Sequence, residues 1–546
     1  MAAIIKPHKV DRSPFYSHVT HSTGNATMVT MAGQIGRKTD GSIPADPVEQ
    51  ISEAYVNLGR CLEAAGAQVK DILRLVYYIV GFDHNNPRHR QPYLDFIGDH
   101  RPATTLVPVE KLALPGIIFE VEATAAIPQS PPETVDVVVV GAGLSGLQTA
   151  VDLHKAGLKV KVCEARDRVG GKTYSVPAQV SVCDVGAAWI NDTNQARMYA
   201  LARRFGLDLI VQNTEGSIVV DAGVGDFKTH PYGQLNPGAN DGARIADIVR
   251  IRDLIDITST VASGKKIRED LDDITLEDWV KSHAPTCDDA LNALKVGTRA
   301  MLGVEPSELS ALYFLDYCKS GGGYMLMRSD KKDGGQYIRI AQGTQSFSRG
   351  LASELPPDSI AFVSPVRRIE QKPGGVQVTA ARGVYNASRV VVSVPTPLYK
   401  EIIFNPPLPA DKVEMSQSTL LGDYCKSIVF YKSPWWRQHN LCGLAQSCYG
   451  PFAVTRESSV DADNQFSLTC FVVGQPAREW MKLPRAGRDH AVLEQLEKLY
   501  GPFAAVEKPI EIAEQIWQAS LRATFARPNT DCWDRTNNGA RAVRVQ

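Results

Sequence analysis

Apolar residues form short continuous runs in the middle of the chain. One run, Val137–Val140, comes directly before a glycine-rich segment and a stretch with helical periodicity, and a second run follows at Val160–Cys163. Two short apolar runs on either side of a helical stretch are typical of adjacent strands in a parallel sheet. The pattern therefore predicts a parallel α/β unit that begins near residue 135.

The residues before this unit have a pattern of their own. A strand is predicted at Val29–Ile35 and a helix near Val48–Ala65. An apolar segment follows at Val69–Val80, and alternating residues predict a strand at Phe119–Ala125. The proline-rich stretch Pro128–Pro132 is typical of a linker, so a self-contained α/β unit is expected in front of it.

After the central unit, two kinds of segment alternate. Helical periodicity dominates residues 235–320, which predicts a helical cap. The chain returns to the central unit at Gly343–Phe347 and continues at Val363–Ile369. Another buried strand is predicted at Val391–Pro395, and Pro406–Pro409 leads into a second segment of the cap domain.

Length and composition set limits on the class of protein. The chain has 546 residues, which predicts three or four core-forming units. The hydrophobic fraction of 44% and the charged fraction of 22% are ordinary for globular proteins. With a net charge of −1, no excess of positive charge favours binding to nucleic acid or to an anionic membrane.

Cysteine use and hydropathy indicate the compartment. The ten cysteines contain no Cys-x-x-Cys pair, which favours free thiols in a reducing compartment over disulfides or a metal site. The first residues lack a long apolar stretch of the secretory type, and no run approaches 18 apolar residues. A cytoplasmic protein without a membrane span is expected.

The glycines after the first apolar run are spaced as Gly141-x-Gly143-x-x-Gly146. Gly141 permits a tight turn, Gly143 lets backbone N–H groups approach a pyrophosphate, and Gly146 allows a close helix–strand contact. The helix that begins at Leu144 and Ser145 adds partial positive charge for the phosphates. The motif predicts a dinucleotide site.

The residues that follow indicate which dinucleotide binds. The second strand ends on Glu164, whose carboxylate can accept hydrogen bonds from both ribose hydroxyls. A basic, glycine-rich turn follows at Ala165–Thr173, and then a run of small residues, Gly186–Ala188, against which a flat ring can lie. A nicotinamide dinucleotide needs no second turn of this kind, whereas the longer FAD needs more of its length held. The sequence therefore predicts FAD.

The order of these motifs resembles the flavin amine oxidase family, which includes monoamine and polyamine oxidases. The shared pattern is G-x-G-x-x-G, then E-x-x-x-R-x-G-G-[RK], then D-x-G-[AG]-x-[WY]. The resemblance implies noncovalent FAD, with a small-molecule primary amine as substrate and oxygen as electron acceptor. The amine becomes an imine, which water converts to a carbonyl and ammonia, and oxygen becomes hydrogen peroxide. The cofactor contacts that it implies are Gly141, Gly143, Leu144, Ser145, Gly146, Glu164, Ala165, Arg166, Arg168, Gly170, Gly171, Lys172, Gly186, Ala187, Ala188, Trp189, Val366 and Trp517.

The same resemblance implies two catalytic residues. Lys426 lies in a segment that places a lysine facing the flavin through a water in the family, and a lysine among apolar strand residues costs desolvation unless it is paired or functional. The alternative is that Lys426 points into solvent. Gln336 ends a Gly-Gly-Gln motif whose glutamine lies in the substrate cavity, and the alternative is a polar turn.

Other residues are expected around the substrate by the same resemblance. Ala300 and Met301 fall where the family lines its entrance cavity, and small or flexible side chains there suit a long aliphatic amine, such as a long-chain aminopolyol. Trp189, Tyr317 and Trp517 are expected near the flavin, although an aromatic residue is more often part of a core.

The first 130 residues resemble the Rid (YjgF) family, small trimeric domains that hydrolyse reactive imines and enamines. The matching stretches are AGQIGRKTDGSIPAD, AYVNLGRCLEAAGA, RPATTLVPV and FEVEATA, within residues 14–128. Active members carry an arginine after Pro-Ala that clamps a substrate carboxylate, whereas here Pro102-Ala103 is followed by Thr104 and Thr105. Either the substrate lacks a nearby carboxylate, or the domain serves homo-oligomer assembly only.

Together these patterns predict an α/β and α+β protein, in which an N-terminal Rid-type α+β domain precedes a Rossmann-like FAD-binding domain interleaved with a mixed substrate domain. The predicted boundaries are 1–130 for the Rid domain, 135–234 and 335–415 for the FAD-binding domain, 235–334 and 416–517 for the substrate domain, and 518–546 for an atypical tail.

The tail leaves alternatives open. The family pattern stops near Trp517, and residues 518–546 lack the expected flavin-covering segment, so weak FAD retention and little turnover are expected. One alternative is an inactive oxidase whose Rid domain serves assembly or hydrolyses imines. Another is an FAD-dependent desaturase, which shares the nucleotide motifs.

Overall fold

The computed structural model describes most of the chain, in ten stretches. These are residues 2–5, 13–22, 26–38, 41–128, 131–221, 226–233, 242–260, 269–283, 288–517 and 544–545. Three sheets organise the described residues: one of four strands near the N-terminus and two of seven strands in the remainder.

The N-terminal domain is a four-stranded sheet covered on one face by two helices. Its elements are β1 (Ala2–Ile5), β2 (Val19–Ser22), β3 (Ala26–Ile35), α1 (Pro47–Ala65), a 3₁₀ turn (Val69–Asp71), β4 (Ile72–Val80), α2 (Arg90–Ile97), β5 (Ala103–Val109) and β6 (Phe119–Pro128). The strand order is β3-β6-β4-β5, with β4 and β5 parallel and the other pairs antiparallel. This confirms the predicted α+β domain.

Helix α1 shows why the sequence folds this way. Asp46 caps its start by accepting a 2.8 Å hydrogen bond from the Glu49 backbone N–H, and Gly66 ends it with φ +75°. Leu58 and Leu62 on its apolar face are almost completely buried against the sheet, and each contributes about 2 kcal/mol by burial.

The first part of the remaining chain begins with the predicted parallel unit. Its elements are β7 (Glu133–Val140), α3 (Leu144–Lys155), β8 (Val160–Cys163), β9 (Ser175–Ala178), β10 (Ser181–Asp184), β11 (Trp189–Ile190), α4 (Ala196–Arg204), β12 (Leu209–Val211), β13 (Ser217–Asp221), β14 (Phe227–Pro231) and α5 (Gly242–Thr260). Strands β7 and β8 are parallel, and they lie where the apolar runs predict them.

The next part contains the helical cap and the return to the first sheet. Its elements are a 3₁₀ turn (Glu269–Asp272), α6 (Leu276–His283), α7 (Asp288–Leu302), a 3₁₀ turn (Pro306–Glu308), α8 (Ala311–Ser320), α9 (Tyr324–Met327), β15 (Ile338–Ile340), α10 (Gln345–Ser353), β16 (Ile360–Ala361), β17 (Val366–Lys372), β18 (Gly375–Ala380), β19 (Gly383–Val392), a 3₁₀ turn (Thr396–Glu401) and β20 (Ile403–Asn405). The cap helices pack around Trp279, Phe314 and Leu315.

The last part builds the second seven-stranded sheet. Its elements are α11 (Ala410–Ser418), β21 (Thr419–Leu420), β22 (Tyr424–Tyr431), α12 (Trp435–Gln438), β23 (Leu441–Gln446), β24 (Phe452–Glu457), a 3₁₀ turn (Asp461–Asp463), β25 (Phe466–Val473), α13 (Gln475–Trp480), α14 (Arg485–Tyr500), β26 (Glu511–Ile516) and β27 (Arg544–Val545). The rest of the predicted atypical tail, residues 518–543 and 546, lies outside the described residues.

The two large sheets differ in strand order and direction. The first has the order β16-β8-β7-β19-β18-β17-β20, and β16, β8, β7 and β19 run parallel. The second has the order β14-β13-β23-β24-β25-β22-β26. The site described below lies between the glycine turns of the first sheet and strands β22–β25 of the second.

Two details of the predicted organisation are wrong. Strands β13 and β14, predicted in the first FAD-binding segment 135–234, belong to the second sheet because β13 pairs with β23. The strand predicted at Val391–Pro395 begins at Gly383 and ends at Val392, and its end is only half-buried. It is half-buried because it borders the first glycine turn, where the Ser393 hydroxyl donates to Val140 O at 2.8 Å.

The N-terminal domain contacts the first large sheet directly. Arg382 Nη2 lies 2.9 Å from Asp71 Oδ2, and Asp71 is only 1% exposed. Arg367 Nη2 donates to Ala64 O at 2.9 Å, at the end of α1. A Cβ placed on Gly66 would lie 2.4 Å from the Ala381 side chain, so the two domains meet without space for a side chain.

Eight of the ten cysteines lie in the described residues, and all eight are free thiols. Six are buried, while Cys61 and Cys448 are half-buried. Burial raises the pKa of the Cys183 and Cys425 thiols to about 12 and also raises the pKa of Cys61. Cys287 and Cys532 lie outside the described residues.

Candidate active site

The first glycine turn joins β7 to α3 as the sequence predicts. Gly141 has φ +99°, which favours glycine, and its N–H donates to Cys163 O at 2.9 Å. A Cβ on Gly146 would lie 2.1 Å from Gly141 O, so helix and strand are in direct contact there. A Cβ on Gly143 meets nothing within 4 Å and projects into open space beside the start of α3.

The second glycine turn lies against the first. Gly143 and Gly170 form a parallel bridge, and Gly170 N–H donates to Ala142 O at 2.8 Å. A Cβ on Gly171 would lie 3.2 Å from Gly143 Cα. Two turns without side chains thus form one cradle next to the N-terminus of α3, whose first N–H groups have no acceptor within the helix. The predicted cofactor residues Leu144 and Ser145 form that first turn, and Ser145 is exposed there.

Glu164 lies beside this cradle at the end of β8. Its carboxylate accepts hydrogen bonds from Ala142 N at 2.6 Å and from Arg166 N at 2.9 Å. Burial raises the pKa of Glu164, and these two hydrogen bonds lower it. Each carboxylate oxygen keeps a second lone pair, which matches the predicted acceptance of two ribose hydroxyls. Ala165, between Glu164 and Arg166, is half-buried.

The charged residues of the second turn have different environments. Arg168 donates to Gly171 O at 3.1 Å and stacks 3.8 Å above the Tyr174 ring, so it stabilises the turn itself. Arg166 lies 6.0 Å from the Trp517 ring, and Trp517 Nε1 donates to Val185 O at 3.0 Å. Lys172 is exposed.

Val366 does not present its side chain to the cradle. That side chain is 2% exposed and packs in the core of the first large sheet with Val135 and Val138. The loop before it is nevertheless close to the cradle, because Ser364 N–H donates to Glu164 O at 2.8 Å. A contact between Val366 and FAD therefore has to come from its backbone.

The segment from Asp184 to Trp189 follows the cradle and is tightly held. The Asp184 carboxylate accepts from Ser175 Oγ at 2.6 Å and from Thr344 N at 2.9 Å, and burial raises its pKa. A Cβ on Gly186 would lie 2.2 Å from Lys172 O, so this segment packs directly on the second turn. Ala187 N–H donates to the same carbonyl at 3.0 Å, and Ala188 is buried.

Lys426 is buried against this segment, so the alternative that it points into solvent is wrong. Its side chain is 3% exposed, and Nζ donates to Asp184 O at 3.0 Å and to Gly186 O. The ammonium lies 5.1 Å from the Trp189 ring centroid and 5.4 Å from that of Phe471. Burial lowers the pKa of Lys426 to about 8, while Asp184 acts in the opposite direction.

The register of the second sheet explains this placement. On β22, Lys426 lies directly opposite Phe471 of β25, and Cys425 lies opposite Ile516 of β26. Trp517, the residue after Ile516, therefore follows the strand that pairs with the one carrying Lys426.

A cavity of about 380 Å³ opens beside Trp189, which is within the range of small-molecule sites. Every residue predicted to surround a substrate lines it, except Trp517. The lining includes aromatic, basic and small side chains: Trp189, Ala300, Met301, Tyr317, Arg328, Gln336, Tyr424, Arg456 and Phe471.

Gln336 presents an unpaired acceptor in this cavity. Its Nε2 donates to Met327 O at 2.9 Å, whereas its Oε1 is buried and has no hydrogen-bond partner. A buried carbonyl oxygen without a donor is costly, so the site favours a ligand that brings an N–H group. The structure therefore places Gln336 in the cavity wall rather than in a polar turn away from the site.

Among the lining residues that sequence reasoning missed are Arg328, Tyr424, Arg456 and Phe471. Arg456 stands between Thr455 and Glu457 at the polar end of β24, and an arginine there is equally typical of a solvent-facing strand position. Tyr424 and Phe471 look like core residues, and Arg328 lies in a loop without a motif. The one usable signal was the position of Tyr424, two residues before Lys426 on the same face of a strand.

The cradle fits FAD on the geometry of this chain. Two glycine turns leave open space where a Cβ on Gly143 would intrude, a helix N-terminus faces it, and Glu164 keeps acceptor capacity at its edge. The two turns and the Asp184–Trp189 segment form a continuous surface longer than a single phosphate-binding turn. Within the described residues, no group of three or more His, Cys, Asp or Glu side chains could hold a metal ion.

No helix among the described residues has both the length and the hydropathy that crossing a membrane requires.

Comparisons with known proteins agree with this geometry. Residues 144–539 match the family described as "Flavin containing amine oxidoreductase", and residues 9–127 match "Endoribonuclease L-PSP", the Rid (YjgF) family. The human amine oxidase [flavin-containing] B is 30% identical over 70% of this chain and 74% of its own length. The putrescine oxidase of Kocuria rosea is 31% identical over 67% of this chain and 79% of its own length.

Solved structures give the same result. A wild-type putrescine oxidase bound to putrescine superposes with a TM-score of 0.65 at 27% identity, covering 71% of this chain and 86% of that one. The cofactor is therefore FAD. The chain belongs to the flavin-containing amine oxidase family, with a Rid domain at its N-terminus.

Proposed function

We propose that this chain oxidises a long-chain primary amine, an aminopolyol among the candidates, to an imine. Water then converts the imine to a carbonyl and ammonia, and oxygen is reduced to hydrogen peroxide. FAD, when bound, supplies the two-electron acceptor for this oxidation. The observation that carries the proposal is the buried Lys426, held by the carbonyls of Asp184 and Gly186 beside the Trp189 ring.

The residues of the cavity have distinct parts in this reaction. Oε1 of Gln336 accepts a hydrogen bond from the amine and so orients it. Trp189, Tyr424 and Phe471 exclude water, since the Phe471 ring lies 5.7 Å from that of Trp189 and 6.0 Å from that of Tyr424, centroid to centroid. Ala300 and Met301 leave room for an extended chain.

In this proposal, Lys426 promotes the reduction of oxygen. A cation close to the reduced cofactor attracts the negative charge that oxygen gains as it is reduced. The backbone carbonyls of Asp184 and Gly186 fix the position of Nζ without neutralising its charge.

The test begins with the purified full-length protein. It should be yellow, and acid should release its flavin, as noncovalent binding requires. Mixing with a primary alkylamine without oxygen should bleach the flavin, and admitting air should give one peroxide per amine consumed. A colourless protein that takes up no added FAD favours the inactive alternative. Yellow protein that makes no peroxide with any primary amine favours the desaturase.

We further propose that the Rid domain assembles the protein into a homo-oligomer. One face of its sheet is covered by α1 and α2, while Met28 on β3 is 55% exposed. Thr104, at the position where active relatives carry arginine, donates its hydroxyl to Pro102 O at 3.1 Å. That hydroxyl is engaged with the backbone, which favours assembly over carboxylate binding.

A further inference from the structure

The substrate cavity contains more positive charge than the oxidation requires. Two guanidinium groups line it, those of Arg328 and Arg456, and the Lys426 ammonium lies 5.1 Å from the ring of Trp189, which also lines it. Arg456 lies 6.0 Å from the same Trp189 ring and contacts Arg328 O at 3.4 Å.

Arg456 has its own counter-ion. It forms an ion pair with Asp330, and the other Asp330 oxygen accepts a hydrogen bond from Tyr232 Oη at 2.9 Å. Asp330 is 2% exposed, so this pair is a buried and locally neutral unit. Its charge is therefore matched before any ligand enters.

Arg328 differs from Arg456 in its partners. Its Nη1 donates to Tyr324 Oη at 2.7 Å, and its guanidinium lies 5.0 Å from that ring. The phenol is neutral, and no ion pair to Arg328 occurs among the described residues. The guanidinium is half-buried, and it retains donors for a further ligand.

The described lining of the cavity provides no counter-ion for a second ammonium group. No aspartate or glutamate is among the described residues that line it. The far end of a diamine would therefore meet Arg328 and be repelled, whereas a carboxylate would gain a planar, charge-assisted partner.

We propose that the cavity selects a primary amine that carries a carboxylate on the same chain, and that Arg328 is the residue that recognises this carboxylate. The inference rests on the proposed amine oxidase function. It adds a second recognition point to the one at Gln336, so amine and carboxylate bind at different places in the cavity.

Binding of a ligand that cannot be oxidised tests this without turnover. Hexanoate, decanoate and the alcohols of the same lengths are titrated into the FAD-loaded protein by calorimetry. At least one carboxylate should bind ten-fold or more tightly than its alcohol. Arg328→Gln should remove this difference, and Arg328→Lys should restore part of it. Equal binding of acids and alcohols, or an unchanged difference in Arg328→Gln, would overturn the proposal.

Two further arms separate specificity from general damage. Arg250→Gln on α5 is the matched control, since Arg250 is exposed and pairs with Asp247, and it should behave as wild type. Turnover of hexylamine, 6-aminohexanoate and 1,6-diaminohexane is compared by kcat/KM. The amino acid should be preferred and the diamine disfavoured, with the order lost in Arg328→Gln.

The outcomes distinguish the two proposals. Oxidation of all three amines at equal kcat/KM keeps the amine oxidase function and overturns the carboxylate preference. Tight carboxylate binding with no oxidation of any amine supports recognition by Arg328 and contradicts the proposed function.

Discussion

At the scale of single residues, Lys426 combines a buried charge with a depressed pKa. Its pKa of about 8 lies below the 10.5 of a free lysine side chain, because burial favours the neutral amine. The side chain is therefore a cation below about pH 8 and neutral above it. A role that depends on the cation must weaken as the pH rises through this value.

We expect Lys426→Met to slow reoxidation of the reduced flavin by oxygen by about 100-fold below pH 8. In the wild type, the reoxidation rate should fall as pH rises above about 8, and in the variant this fall should disappear. Stopped-flow absorbance measures both rates, and retained flavin is quantified in parallel.

Lys432→Met is the matched control, since Lys432 follows the same strand and is exposed. It should leave the rate and its pH dependence unchanged. Equal reoxidation rates in wild type and Lys426→Met would remove Lys426 from the site.

The residue scale also shows what sequence can predict about a site. Lys426 and Gln336 were predicted because each belongs to a motif, and the structure brings both to the region around Trp189. Arg328 and Arg456 were not predicted, because their roles depend on which charges lie nearby after folding. Val366 was assigned to the cofactor, but its side chain lies in the core.

At the scale of elements, two glycines of the first glycine turn should have different roles, Gly143 in FAD binding and Gly146 in folding. Gly143→Ala should keep the thermal stability of the FAD-free protein, because its Cβ meets no atom within 4 Å and its φ of −73° suits any residue. It should weaken FAD binding, since the methyl group enters the cradle.

Gly146→Ala is the contrasting variant. Its Cβ would meet Gly141 O at 2.1 Å, so it should destabilise the fold by about 1–3 kcal/mol and also lose FAD. Thermal unfolding with and without FAD distinguishes the two. Equal stability of both variants would contradict the assignment of separate roles.

The contact between the domains gives a second prediction at this scale. Arg382→Ala leaves the buried Asp71 carboxylate without its ionic partner and should lower stability by about 1–3 kcal/mol. Asp71→Ala and the double variant complete a thermodynamic cycle measured by thermal unfolding. Strict additivity would show that the pair contributes nothing to the contact.

Most elements were predictable because each carries its own periodicity. Strands β7 and β8, helix α1 and the cap helices lie where the pattern predicts them. The end of β19 was misjudged because it borders the cradle rather than the core. The partners of β13 could not be predicted, since its pairing with β23 joins residues more than 200 positions apart.

At the scale of the whole molecule, the membership of the N-terminal domain in the Rid family, whose members are trimeric, predicts that the protein is a trimer. The full-length protein should have three times the 59.6 kDa mass of one chain by light scattering. Met28→Glu should reduce this mass, because a charge on the exposed sheet face opposes association. Val56→Glu, an exposed position on α1, serves as the control and should leave the trimer intact. A monomeric wild type would contradict the proposed assembly.

Because hydrogen peroxide is a product of the proposed reaction, the reactivity of the free thiols in the chain affects how long the enzyme stays active. The thiolate is the form that attacks peroxide, and a thiol whose pKa is raised to about 12, as in Cys183 and Cys425, is almost wholly protonated at neutral pH. Both thiols are also buried. Cys425 directly precedes Lys426 on β22, and Cys183 lies on β10. In the proposed reaction, hydrogen peroxide therefore forms near two thiols that should react with it only slowly. Self-inactivation during prolonged turnover should then proceed through methionine oxidation, with Met301 and Met327 in the cavity wall as the first targets, which mass spectrometry of the used enzyme would detect.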